Sequence, residues 1–455
     1  MPFSNNGCSW RPLNGGSLND GGFLNQNRSS CDFFNWSFHE DILHRIEQFE
    51  LELQAPFQRI SRISYYNQLK MLYAFQRERI GTHHFHTSTG YGYHDPGREA
   101  LERVFARVFK SESALVRQQL VSGTHAIACA LLGNLKPADE LLVASGTPYE
   151  TLLGVLGIQP DLPEGGVHAL ISETGGFRVK IVPLQSDGSL NLPLICSNIS
   201  SQTKLIAFQR SCGYSKRASF GVEELSRAFA SIRCVKPDAV IFVDNCYGEF
   251  VEEREPIEAG ADLIAGSLIK NPGGCLIPTG GYIAGNRTLV RRAAERLYAP
   301  NIGGAIGPSL VNPQLFFQGF FEAPHRVGEM LKGAILAAKL FEKAGFKVAP
   351  GPEEIRADII QKIYLNSAEE LIEFCRAVQR NSPVEAEVLP EPAAMPGYHH
   401  QVIMGGGTFI SGSTSEFSAD APLTPPYIAF LQGGLSYTQI KVSLAGLYAL
   451  FCKGG

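Results

Sequence analysis

The stretch ADLIAGSLIKNPGG, residues 261–274, joins a short apolar run to an Asn-Pro-Gly-Gly turn and sets one lysine, Lys270, at the junction. A run of that length, bounded by strong turn formers, reads as a buried strand that ends sharply. A lysine at the rim of a core must find a counter-charge, reach water or lose its proton. The preceding strand-like run, VIFVDNCYGEF at 240–250, has the same form, with four apolar residues leading straight into Asp244. Two neighbouring strand ends of this kind bring an amine and a carboxylate to one rim.

Further runs of the same type lie upstream and downstream. SALVRQQLVSG, DELLVAS, VKIVPL, TKLIAFQR and GGYIAG read as strands, and THAIACALLGNL and VEELSRAFASIR, among others, read as helices between them. Continuous apolar strands alternating with helices predict an α/β domain whose mostly parallel sheet is covered on both faces. Ligands of such sheets bind beyond the carboxyl ends of the strands. Ahead of this series, residues 39–95 carry apolar residues at three- and four-residue spacing and predict a helical arm interrupted at Pro56. The large α/β domain is expected over 96–307. A long helix and a smaller α+β domain, with ADIIQKIYLN, SAEELIEFCRAVQRN and HHQVIMGGGTF as strand, helix and strand, are expected over 308–455. Residues 1–38, rich in Asn, Gly and Ser with two acids, read as a flexible leader, and organelle targeting by them stays open.

The chain has 455 residues, 44% apolar and 18% charged, with 40 basic and 44 acidic side chains. That balance gives no reason to expect a nucleic-acid or anionic-membrane partner. No apolar run approaches the roughly 20 residues needed to span a bilayer. Ten cysteines stand singly without a CxxC pair, which favours reduced thiols and an intracellular, cytoplasmic location. His83, His84 and His86 crowd together in GTHHFHTSTG, but no nearby cysteine or carboxylate completes a metal set, so no metal site is expected.

Two more features fall at predicted strand ends. In VSGTHAIACAL, Ser122, Gly123 and Thr124 open a helix, where free amides and the helix dipole make an anion site. Ordinary capping by Ser122 explains the same residues. In SGTPYETLLG, Tyr149 follows another strand end, where it could stack on a planar ring or serve as a plain loop tyrosine. Taken singly each feature has a bland account, and Lys270 with Asp244 could be a structural ion pair. Together they supply an anion cradle, a ring stacker, a carboxylate for a pyridine nitrogen and an amine able to form a Schiff base. Those are the requirements of pyridoxal phosphate.

The motifs SGTHA, PYETL, VDNCYGEF and SLIKNPGG, in this order, resemble the Cys/Met-metabolism family of pyridoxal-phosphate enzymes, which includes cystathionine lyases and methionine γ-lyase. TGYGYHDPGREALERVFARVF, QRSCGYSKRASF and PPYIAFLQGGLSY are similar to its aluminium-resistance branch. The resemblance implies a fold type I pyridoxal-phosphate transferase-like architecture and a homodimer or homotetramer with shared active sites. It implies Lys270 as the Schiff-base lysine and Asp244 as the partner of the ring nitrogen; partial desolvation is expected to lower the pKa of the amine once it is freed to take the α-proton. Tyr149 becomes the stacking residue and an aid to the leaving group; Gly123, Thr124 and Ser267 face the phosphate. The better-known lyases carry a Tyr-x-Arg pair that reaches the partner subunit's phosphate. Here GYGYHDPG offers Tyr91 or Tyr93 and no arginine at that spacing. They also hold the substrate carboxylate with a C-terminal arginine, yet the last arginine of this chain is Arg380. Arg210 and Arg217 are the candidates for that clamp, since a guanidinium fork binds both oxygens. The activity implied is carbon–sulfur lysis of a sulfur-containing amino acid by β- or γ-elimination. A γ-replacement transferase, an aminotransferase-like enzyme and a non-catalytic binding protein on the same scaffold are the alternatives.

Overall fold

The computed structural model describes residues 40–159, 166–395 and 398–451. The expected leader lies outside the described residues. Three helices come first, α1 (Glu40–Glu52), α2 (Gln54–Arg77) and α3 (Pro96–Val108). The break falls at Leu53, so Pro56 sits in the first turn of α2, where its missing amide costs no helical hydrogen bond. Asp95 caps α3 by accepting the Arg98 amide at 2.9 Å.

The large sheet has eight strands: β1 (Ser113–Arg117), β2 (Glu140–Val143), β3 (His168–Ile171), β4 (Arg178–Ile181), β5 (Thr203–Gln209), β6 (Val240–Asp244), β7 (Leu263–Ser267) and β8 (Gly281–Gly285). Their order is β1-β8-β7-β6-β5-β2-β4-β3. The five strands from β7 to β4 run parallel, while β8 is antiparallel to β1 and β7, and β3 is antiparallel to β4. Ile206, Phe208, Ile241 and Val243 pack into one core, and Leu205, Ala207, Val240 and Phe242 into another on the opposite face. Burial on both faces is why these strands read as unbroken apolar runs. Helices α4 (Gly123–Leu132), α5 (Glu150–Val155) and α8 (Arg287–Leu297) close one face, and α7 (Val222–Val235), beside α6 (Leu192–Asn198), closes the other. The expected strand ending at Ser122-Gly123 stops instead at Arg117, where its pairing partner on β8 runs out at Gly281.

The long helix α9 (Pro313–Lys343) leads to a second, antiparallel sheet of six strands. These are β9 (Lys347–Ala349), β10 (Gln361–Tyr364), β11 (Ala393–Ala394), β12 (Gln401–Gly405), β13 (Ser418–Pro422) and β14 (Ile428–Gln432), with α10 (Ala368–Arg380) and α11 (Tyr437–Phe451) packed on it. The expected strand, helix and strand are β10, α10 and β12; β9, β11, β13 and β14 complete the sheet. On β13 and β14 the residues alternate strictly. Ala419, Ala421, Ala429 and Leu431 enter the core against the helices, whereas Asp420, Phe430 and Gln432 face a cavity between the two sheets. Among the described residues, no helix is long and apolar enough to cross a membrane.

Candidate active site

Because β2, β6 and β7 are parallel, their carboxyl ends share one rim, and a cavity of about 1570 Å³ opens there. Ser122, Gly123, Thr124, Tyr149, Asp244, Ser267 and Lys270 all line it. Six of these the sequence placed at predicted strand ends and Ser267 came from the family resemblance; the topology brings all seven together.

Lys270 follows β7, and its ammonium nitrogen stands 4.0 Å from the centroid of the Tyr247 ring. Burial pulls this ammonium down, but the surrounding Cys246, Tyr247, Asp244 and Tyr149 outweigh it and hold the group well above the ordinary lysine range. Asp244 ends β6, is 4% exposed, and accepts the Cys246 amide at 3.1 Å. Burial pushes its carboxyl up while Lys270 and the Cys246 hydrogen bonds draw it back down. Tyr247, which supports Lys270, has φ +69°, a left-handed conformation that a bulky residue adopts only where surroundings impose it.

Ser122 caps α4, its hydroxyl accepting the His125 amide at 3.1 Å. The hydroxyl therefore serves the helix, and the amides of Gly123 and Thr124 belong to the first turn, which an α-helix leaves without internal partners. A Cβ at Gly123 would stand 3.1 Å from the Ser267 Cβ and 3.3 Å from the Cys246 sulfur. A side chain here would crowd Ser267 and Cys246, which would have to give way slightly, so glycine eases the close approach of α4 to the end of β7. The Tyr149 hydroxyl lies 3.2 Å from the Thr124 hydroxyl. Burial, with Asp244 beside it, raises the phenol well above its ordinary range and keeps it neutral.

Arg210 is not a substrate clamp. It is fully buried, with one guanidinium nitrogen donating to Asn245 at 2.9 Å and the Gly248 carbonyl at 2.8 Å, and the other to Glu252 at 2.5 Å. Glu255, equally buried, lies 3.7 Å away, and Arg210 does not line the cavity. Arg217 does line it and is the one arginine among the described residues that do. Its terminal nitrogens, however, donate to the carbonyls of Gln209 and Ala218 at 2.8 Å, Ser211 at 2.5 Å and Arg210 at 3.3 Å. Its guanidinium carbon lies 4.2 Å from the centroid of the Phe220 ring. Both arginines hold the protein together, so a fork free for a carboxylate is not found at either. Tyr91 and Tyr93 stand outside this cavity, 67% and 59% exposed, with ring centroids 5.4 Å apart. His84, of the histidine cluster, accepts the Gly81 amide at 3.0 Å.

Sequence reasoning missed the opposite wall. Tyr214, Tyr398, Asp420, Phe430 and Gln432 line the cavity from the loop after β5 and from the second sheet. A signal existed: a lone Asp among small apolar residues in SADAP marks the polar face of an alternating strand.

The residues on the first wall fit pyridoxal phosphate. Glycine clears a cradle at a helix start, a neutral phenol borders it, and a buried carboxylate faces a lysine. A family model described as methionine gamma-lyase matches residues 42–450. The uncharacterized protein YnbB of Bacillus subtilis (strain 168) is 43% identical over 409 residues, covering 90% of this chain and 96% of that protein. A solved structure of a carbon-sulfur lyase involved in aluminum resistance, from Clostridium novyi NT, is 42% identical with a TM-score of 0.86. The match covers 94% of this chain and 99% of that one. The pyridoxal-5'-phosphate dependent protein YhfS from Escherichia coli, 17% identical, has a TM-score of 0.54 over 85% of this chain and 96% of its own, a likeness of fold. The α/β architecture is thus of fold type I.

Proposed function

The chain belongs to the methionine gamma-lyase family, and from that premise we propose that it is a pyridoxal-phosphate-dependent carbon–sulfur lyase acting on a sulfur-containing amino acid at Lys270. The observation that carries this reading is the convergence of Lys270, Asp244, Tyr149 and the Gly123-Thr124 amides on one cavity at the carboxyl rim. The family match and the carbon-sulfur lyase from Clostridium novyi NT support it.

In this reading the bound cofactor supplies an electron sink for the substrate carbon that loses a proton. The first amides of α4, with the Ser267 hydroxyl, receive the phosphate. Asp244 pairs with the pyridine nitrogen and keeps it protonated, which its burial against Lys270 suits it to do. Lys270, once freed as a neutral amine, takes the proton from the α-carbon. Tyr149, kept neutral, holds a proton that can pass to the departing sulfur. The C–S bond breaks and its electron pair leaves with the thiol. Water then completes the conversion of the remaining fragment to a 2-oxo acid and ammonium. We further propose that the protein self-associates and that Tyr91 and Tyr93 complete the site of a second copy.

Borohydride reduction of the protein incubated with pyridoxal phosphate should fix a pyridoxyl group on Lys270, identified by peptide mass. Lys270→Ala should lose both the adduct and release of pyruvate or 2-oxobutanoate from thioether amino acids. A protein that takes up no cofactor, or a Lys270→Ala variant with normal turnover, would refute the reading.

A further inference from the structure

The second sheet presents a carboxylate where a clamp for a substrate carboxylate was expected. Asp420 is 5% exposed, and its Oδ2 accepts the Gln432 amide at 2.8 Å. The Tyr214 hydroxyl also bonds this carboxylate and the Lys270 ammonium draws on it across the cavity, but neutral partners offset only part of the several kcal/mol that burying an ionised carboxylate costs. Three aromatic rings stand beside it on the same cavity. The Tyr214 ring lies 5.7 Å from that of Tyr398 and 5.2 Å from that of Phe430, tilted by 49° and 48°. Ring faces carry negative potential and attract cations. A buried carboxylate beside aromatic rings therefore repels an anion and welcomes a positive charge. The geometry separates this carboxylate from Asp244, since one comes from the second sheet and the other from the rim of the first.

We propose that Asp420, with Tyr214, Tyr398 and Phe430, receives a positively charged group on the leaving arm of the substrate. The enzyme then takes amino-acid thioethers that end in an ammonium in preference to those that end in an alkyl group. Methionine, whose arm ends in a methyl, is a poor substrate on this account. The inference rests on the lyase reading above and adds the substrate class.

Two cysteine thioethers of equal length isolate the charge: S-(2-aminoethyl)cysteine and S-propylcysteine. The wild-type protein should favour the aminoethyl compound by about ten- to a hundredfold in kcat/KM, chiefly through KM, the size expected of a hydrogen bond to a charged group out of water. In Asp420→Asn that ratio should fall towards one. Equal use of both compounds by the wild type, or an unchanged ratio in Asp420→Asn, overturns the proposal. Binding without turnover separates it from the lyase reading. Lysine and 2-aminoheptanoate match the two thioethers in length but contain no C–S bond. Calorimetric titration of the protein loaded with pyridoxal phosphate should show lysine binding more tightly, and Asp420→Asn should abolish the difference. If neither thioether is cleaved but lysine binds selectively, the lyase reading fails and the cation site stands. If thioethers are cleaved and lysine has no advantage, the cation site fails alone.

Discussion

Replacing Arg210 by alanine would leave Glu255 buried with only the weaker pull of Lys70, and would strip Asn245 and the Gly248 carbonyl of their donor. Removing one partner of a buried pair costs about 3–5 kcal/mol. Denaturant titration of Arg210→Ala should show a loss of that order, and a variant of wild-type stability with only a raised KM would restore Arg210 as a substrate clamp. Glu249 poses the opposite case. It is fully buried beside Tyr282, whose hydroxyl lies 2.8 Å from one of its oxygens, while the other has no partner. Burial raises its pKa to about 8. The folded state thus keeps a proton that the unfolded chain releases near pH 4.5, so this group costs stability as pH rises from that value towards 8. Glu249→Gln should match the wild type near pH 5 and exceed it by on the order of 3 kcal/mol near pH 8. Thermal unfolding across that range checks the sign: a gap that narrows with rising pH would refute it. At this scale the sequence marked where charges sit, at Lys270 and Asp244, because apolar runs end on them. It did not reveal partners, since nothing near Arg210 in the chain indicates that Glu255 lies against it.

The start of α4 carries two roles that the motif alone could not separate. Ser122 caps the helix, and Gly123 admits it against β7. Ser122→Ala should cost about 1 kcal/mol of stability. Gly123→Ala crowds Ser267 and Cys246 at the helix start and should weaken pyridoxal-phosphate binding, measured by equilibrium dialysis, well beyond its effect on stability. Equal binding in Gly123→Ala would remove α4 from the phosphate site. Elements buried on both faces, such as β5, β6 and β7, were legible because each holds an unbroken apolar run of at least four residues, with polar residues only at its ends. The edge strand β3 alternates half-buried and exposed residues, and β11 has two residues, so neither carries a run long enough to read. β13 and β14 escaped for another reason: one face of each is the cavity wall, where Asp420 and Gln432 break the apolar pattern. The residues that hid these strands are the ones that now bear on the substrate.

Across the whole molecule, apolar surface is left uncovered in a pattern. On α2, Tyr65 is 66% exposed, Leu69 47%, Leu72 44% and Tyr73 48%, a stripe at helical spacing. Tyr91 and Tyr93 are exposed as well, and exposed apolar surface of this kind marks an interaction site. A second copy of the chain is the proposed occupant. If Tyr91 and Tyr93 then serve the neighbouring site, two inactive variants should complement one another. Lys270→Ala lacks the amine but keeps the tyrosines, whereas the Tyr91→Ala/Tyr93→Ala double variant keeps the amine but lacks the tyrosines. In a mixed dimer, one site has both. Random reassortment of equal amounts would complete about a quarter of all sites. Co-expression should therefore restore pyruvate release to roughly that fraction of the wild type, while each variant alone stays low. Sedimentation would confirm that the active species is larger than one chain. Full activity in the tyrosine variant alone would show that the two rings serve no site. Co-expressed variants no more active than either parent would confine each site to a single chain.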